Sequence, residues 1–94
     1  MLHRPTQPAD EPLSDELYLR HLTVDEAMLK LDKYLNDAFM AGLIQVRIVH
    51  GKGTGTLRRV VKETLSSHSL VKSYRLGQYG EGGAGVTIAE LARR

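Results

Sequence analysis

Ninety-four residues with 41% hydrophobic content suffice for one small domain built around a single core. With no cysteine, a disulfide framework and a thiolate metal site are both excluded, which suits a reducing compartment. No apolar stretch approaches a membrane span, and the opening MLHRPTQPADEPLSDE lacks the apolar centre of a signal peptide, so the expectation is a cytoplasmic chain with no membrane partner.

The net charge of +2 conceals an asymmetry. Residues 1 to 16 carry Arg4 against Asp10, Glu11, Asp15 and Glu16, which leaves 12 basic against 7 acidic residues from Leu17 onward. A basic domain behind an acidic front suits a polyanionic partner, although many small domains are mildly basic for solubility alone. All three prolines fall before residue 13. Residues 1–15 therefore read as a flexible leader or linker, and 16–94 as the folded domain.

Leu17 to Leu22 alternates and predicts a short first strand. Thr23-Val24-Asp25-Glu26 matches a capping box, with the Thr23 hydroxyl on the Glu26 amide and the Glu26 carboxylate reaching back. The stripe Val24, Ala27, Met28, Leu31, Leu35, Ala38 and Phe39 continues as a helix, ended by Gly42 in a left-handed conformation. Asp25 and Glu26 then serve the helix dipole, and His3 and His68 read as solvated bystanders. Ile44 to Val49 is β-branched and predicts a second strand. A second helix spans about Thr56 to Ser67, with Leu57, Val60, Val61 and Leu65 on one side. Leu70 to Leu76 and Gly85 to Leu91 predict two further strands in an antiparallel hairpin.

The order β-α-β-α-β-β implies an α+β two-layer sandwich, with both helices on one face of a mixed four-stranded sheet. Alternation sends Leu17, Leu19, Ile44, Val46 and Ile48 inward, and Tyr18, Arg20 and Arg47 to the other face. An open face bearing tyrosine and arginine suits nucleic-acid bases and phosphates, and equally an ordinary solvated surface.

Between the second strand and second helix lies His50-Gly51-Lys52-Gly53-Thr54-Gly55. Ligands gather at the carboxyl ends of parallel strands, where helix N-termini also point. Glycines permit positive φ and close approach. The amides of Gly51, Gly53, Thr54 and Gly55 are expected to form an anion-accepting concavity, reinforced by the helix dipole and by Lys52, Arg58 and Arg59. The spacing G-x-x-x-x-G-K-[ST] is absent, as is G-x-G-x-x-G, so a nucleotide-triphosphate loop and a dinucleotide fingerprint are not matched. A nucleic-acid phosphate fits better. His50 can act as general acid or base near neutral pH. Arg20 and His21 end the neighbouring strand and are expected beside it. Such a group could cleave a phosphodiester; equally, His50 could hydrogen-bond the loop backbone and catalyse nothing. No metal site can be named.

HGKGTG, a basic helix after it, a strand ending in Leu-Arg before it, and GGAGVTIAEL at Gly82 to Leu91 together resemble the Smr (small MutS-related) domain, closest to the form at the C-terminus of the bacterial second-class MutS paralogue. The resemblance covers about Glu16 to Leu91. It implies a fold similar to the C-terminal domain of translation initiation factor three, and endonuclease activity that nicks DNA, branched recombination intermediates included, so suppressing homologous recombination. It also implies RNA and ribosome partners in some relatives, a divalent metal (Mg or Mn) where one is needed, and a homodimeric parent whose ATP-using domain is absent here.

The family's HGxG motif falls on His50, Gly51, Lys52 and Gly53. Its first-strand motif, Leu-Asp-Leu-Arg-Gly or Leu-Asp-Leu-His-Gly, falls on Leu17, Tyr18, Leu19, Arg20 and His21. The expected catalytic set is thus His50, Arg20, His21 and Tyr18; the expected phosphate-binding set is the loop from Gly51 to Gly55 with Arg47, Arg58 and Arg59. Two positions depart from the motif: tyrosine stands at the acidic position and His21 at the glycine. Tyrosine, with a usual pKa of about 10, is a poor base at neutral pH. Three arrangements answer the missing acid: Glu16 replaces it from the same strand face, His21 and His50 form an acid–base pair, or the domain binds without cutting and Tyr18 stacks.

Overall fold

The computed structural model describes residues 13–93. The elements are β1 (Glu16–Tyr18), α1 (Val24–Met40), β2 (Gln45–Val49), α2 (Thr56–Ser67), β3 (Val71–Leu76) and β4 (Val86–Leu91), with one 3-10 turn at Gly83–Gly85 before β4. The sheet order is β1-β2-β4-β3; β1 and β2 are parallel, and β4 runs antiparallel to both its neighbours. This is the expected mixed four-stranded sheet with two helices. Most of the expected leader, His3 included, lies outside the described residues. Its last residues are fastened to the domain: the Tyr34 hydroxyl donates to Ser14 O at 2.6 Å and Arg47 N donates to Asp15 O at 2.8 Å.

Local chemistry sets the ends of α1. Thr23 and Glu26 close the capping box, Glu26 N to Thr23 Oγ1 at 3.2 Å and Thr23 N to Glu26 Oε1 at 2.9 Å. At the other end Gly42, at φ 81°, donates to Phe39 O and Leu43 N donates to Ala38 O. These two bonds make a complete Schellman motif, which needs the left-handed glycine.

One sheet face packs on the helices. Leu17, Leu19, Val46, Ile48, Ala89 and Leu91 meet Ala27, Leu31, Leu35 and Ala38 of α1 and Val61 and Leu65 of α2. Leu19, Leu35 and Ile48 are fully buried, and each such side chain contributes about 1.5–3 kcal/mol relative to exposure. Three expectations change here. The first strand stops at Tyr18, and the chain leaves the ladder after one further bond, Leu19 N to Val49 O at 2.8 Å. Ile44, expected inward, precedes β2 and is 50% exposed. Tyr34, absent from the expected stripe, joins the core because its hydroxyl reaches Ser14 O.

The other sheet face is crossed by one row of cross-strand neighbours: Glu16, Arg47, Ile88 and Arg75. Arg47 Nη1 meets Glu16 Oε2 at 2.8 Å, and Arg75 holds Glu81 through two bonds of 2.7 and 2.9 Å. Arg75 and the Gln78 amide hold the Glu81 carboxyl down at about 2. Ile88, between the two arginine stems, is buried. The arginines of this face are therefore neutralised by carboxylates on it. His68 is a strut between the helices, and the bystander expectation fails: Nδ1 accepts from Leu70 N at 3.2 Å, leaving Nε2 to donate to Asp32 Oδ1 at 3.0 Å.

Candidate functional site

The site assembles where β1 and β2 end side by side. After Leu19 the chain turns at His21, whose φ of 69° is left-handed. That geometry explains why a glycine suits the position, and histidine is among the side chains that tolerate it. The turn lays Arg20 over Gly51: a Cβ at residue 51 would sit 3.3 Å from both Cγ and Nε of Arg20. Gly51 itself has φ 79°. Its lack of a side chain thus serves both the backbone and the arginine above it.

The loop's amides divide into two groups, and the expected concavity changes accordingly. His50 N and Gly51 N both donate to Gly85 O, at 3.1 and 2.9 Å, and Gly55 N closes a turn onto Lys52 O at 3.1 Å. The amides of Gly51 and Gly55 are thus spent on the fold, the first anchoring the β3–β4 connection and the second closing the loop's own turn. The amides of Gly53 and Thr54 have no acceptor among the described residues. Neither do those of Leu57 and Arg58 in the first turn of α2, since the N-cap, Gly55, supplies no side-chain acceptor. Thr56 N has only a long 3.4 Å contact to Thr54 Oγ1. The anion-accepting groups are Gly53, Thr54 and the uncapped end of α2.

His50 is buried, and both ring nitrogens are engaged. Nδ1 lies 2.9 Å from Gly51 O, and a carbonyl can only accept, so Nδ1 carries the proton. Nε2, 2.8 Å from Thr87 Oγ1, then accepts from that hydroxyl. Burial lowers the His50 pKa from its usual 6.5, the Gly51 carbonyl partly opposes this, and Arg58 lowers it further. The ring is neutral at neutral pH.

A cavity of about 460 Å³ brings together Arg20, His21, His50, Lys52 and Arg58 around the glycine loop. Arg20, Lys52 and Arg58 have no acidic partner among the described residues. Arg59 does not line this cavity and pairs with Glu63 along α2 at 3.4 Å. Tyr18 and Arg47 lie outside this cavity, on the other sheet face. The Tyr18 hydroxyl donates to Glu16 Oε1 at 2.9 Å, which lowers the Glu16 pKa, with Arg47 acting in the same direction. That bond in turn raises the pKa of Tyr18. Glu16 is therefore occupied at a distance from the loop.

Among the described residues no three His, Asp or Glu side chains gather as metal donors. With Glu16 bonded to Tyr18 and Arg47, the residues present do not fit a divalent ion at the loop. Thr87 is the functional candidate that motif reading passed over. Its signal was a hydroxyl on the otherwise apolar inward side of β4, opposite Ile48.

A family model described as the Smr domain matches residues 17–92. The endonuclease MutS2 of Pelotomaculum thermopropionicum is 58% identical over 80 residues, a stretch covering 85% of this chain and 10% of that protein. The endonuclease MutS2 of Clostridium beijerinckii is 62% identical over 73 residues, or 78% of this chain and 9% of that protein. The chain thus spans about a tenth of the length of these relatives. In three dimensions it is similar to the Smr domain of Thermus thermophilus MutS2, at 45% identity and a TM-score of 0.80, covering 82% of this chain and 96% of that one. It is also similar to YdaL, a stand-alone small MutS-related protein from Escherichia coli, at 27% identity and a TM-score of 0.81, covering 88% of this chain and 67% of that one. By sequence, topology and loop geometry together, the chain belongs to the Smr domain family.

Proposed function

We propose that this domain grips a phosphodiester of nucleic acid in the cavity between Arg20, Lys52, Arg58 and the N-terminus of α2. One observation carries the reading: unbonded amides and unneutralised cations converge on one depression. Amides alone would suit any small anion; three unpaired cations around them favour a polyanion.

Cleavage is proposed to follow from the same geometry, in keeping with relatives named endonuclease MutS2. Hydrolysis requires water to lose a proton, the phosphorus to accept its oxygen, and the leaving oxygen to regain a proton. Arg20, Lys52, Arg58 and the α2 amides stabilise charge on the nonbridging oxygens. His50 is the proton acceptor once Nε2 is released from the Thr87 hydroxyl, and His21 at the cavity rim is the donor. The donor set does not fit a metal, so no step runs through Mg or Mn. The parent protein's role would be nicking of DNA, branched intermediates included, with suppression of homologous recombination.

A second reading, binding without cutting, is favoured by a specific observation. Tyr18 stands at the acidic motif position, and Glu16 is tied to Tyr18 and Arg47. A ribosomal or messenger RNA ligand belongs with this reading. Supercoiled plasmid nicking together with duplex binding separates the two. Nicking is expected to vanish in His50→Ala with binding retained, and binding to fall in Lys52→Ala/Arg58→Ala, with a salt slope smaller by about 0.9 per lost contact. Binding that yields no product in any buffer supports the second reading; undiminished nicking by His50→Ala removes His50 from the chemistry.

A further inference from the structure

A larger depression adjoins the loop cavity. Between α2 and β3 runs a groove of about 700 Å³. Thr54, Gly55, Thr56 and Arg58 line both, so the two are continuous around the N-terminus of α2. Thr87 lines the groove and His50 the cavity, and the two side chains are bonded to each other.

The groove's two sides differ in charge. Its α2 wall carries Arg58 and Lys62, four residues apart on one helix face, and neither has an acidic partner among the described residues. Four residues rise about 6 Å along a helix, of the order of the spacing between neighbouring phosphates of one strand. On the β3 wall, Arg75 turns its guanidinium to the opposite sheet face, where Glu81 holds it, so that wall adds no free charge. The half-buried Tyr74 also lines the groove. A cationic wall beside an aromatic ring is the arrangement that holds single strands, where phosphates track the charge and bases stack. A duplex keeps its bases paired and stacked and offers none to the ring.

We propose that the α2–β3 groove holds the single strand of DNA or RNA leading away from the phosphate gripped at the glycine loop, with Lys62 on the next phosphate and Tyr74 against a base. This rests on the loop reading above, and the probes keep the two apart. Fluorescence anisotropy would compare an oligothymidylate dinucleotide, which carries a single phosphodiester for the loop, with a dodecamer. Lys62→Glu is expected to weaken dodecamer binding about tenfold and reduce its salt slope by about 0.7 per lost contact, leaving the dinucleotide unchanged. Tyr74→Leu, which keeps apolar volume, is expected to cost the dodecamer about tenfold while a blunt duplex is unaffected. An oligouridylate dodecamer alongside assigns the strand to DNA or RNA. If Lys62→Glu binds the dodecamer like wild type while Lys52→Ala weakens both probes, the groove is empty and the loop reading stands. If wild type binds neither probe, both fall.

Discussion

Replacing Thr87 by valine removes one hydroxyl and keeps the shape of a side chain that is 2% exposed. The wild-type hydroxyl donates to His50 Nε2 at 2.8 Å, and Nδ1 is committed to Gly51 O at 2.9 Å. In the variant the Nε2 lone pair is left inside a buried ring with no donor. The ring cannot escape by moving its proton, because the Gly51 carbonyl would then face a second acceptor. An orphaned buried acceptor costs about 1–3 kcal/mol, and we expect the lower half of that range because valine's methyl recovers some apolar burial. For a domain of this size that is a fall in Tm of roughly 5–15 °C. Urea or thermal unfolding followed by circular dichroism measures it, with Thr87→Ser, which keeps the hydroxyl, expected to lose clearly less. Long-range nitrogen NMR of the wild-type ring should find Nδ1 protonated and Nε2 bare. A valine variant as stable as wild type, or a proton on Nε2, would refute the assignment on which the proposed base chemistry depends.

Two other expectations follow from the same corner. His21 sits at φ 69°, so His21→Gly should stabilise by about 0.5 kcal/mol, the relief of left-handed strain outweighing glycine's greater freedom when unfolded; a destabilised variant in chemical denaturation would show that the imidazole is held by more than the turn. The folded His50 pKa lies below its usual 6.5, mainly through burial. The unfolded chain therefore takes up the proton first. The stability linked to neutral His50 is fully present above pH 6.5 and declines as pH falls through that value toward the folded pKa. Equilibrium unfolding from pH 7.5 to 5 should therefore show a steeper loss in wild type than in His50→Gln, and parallel curves would contradict it.

How much of this was legible in the sequence depended on the range over which each residue acts. Thr23 and Glu26, or Gly42, act within a few positions, and the capping box and Schellman motif formed as spacing required. The order of strands and helices followed from apolar periodicity, and the placing of Arg20 and His21 beside His50 followed from two parallel strands ending together. What sequence distance hid was pairing. Arg47 looked free until folding set Glu16 beside it, 31 positions away, and His68 looked idle until α1 brought Asp32 within 3.0 Å. The loop amides divide between the two ranges, Gly51 bonding far along the chain and Gly55 within its own turn. Gly51 and Gly55 have the positive φ that an anion nest needs, but Gly85 O and Lys52 O claim their hydrogens. Thr87 acts on His50 across 37 positions, so only the oddity of a hydroxyl on the apolar side of β4 hinted at it.

Phosphate binding here depends on which backbone amides meet the ligand, and amide-resolved NMR during titration with a short oligonucleotide reads this directly. The amides of Gly53, Thr54, Leu57 and Arg58 should shift most, with those of Gly51 and Gly55, already bonded within the fold, moving little. Shifts centred instead on the sheet face around Arg47 and Tyr18, with the start of α2 silent, would place the ligand elsewhere and contradict the reading of this loop.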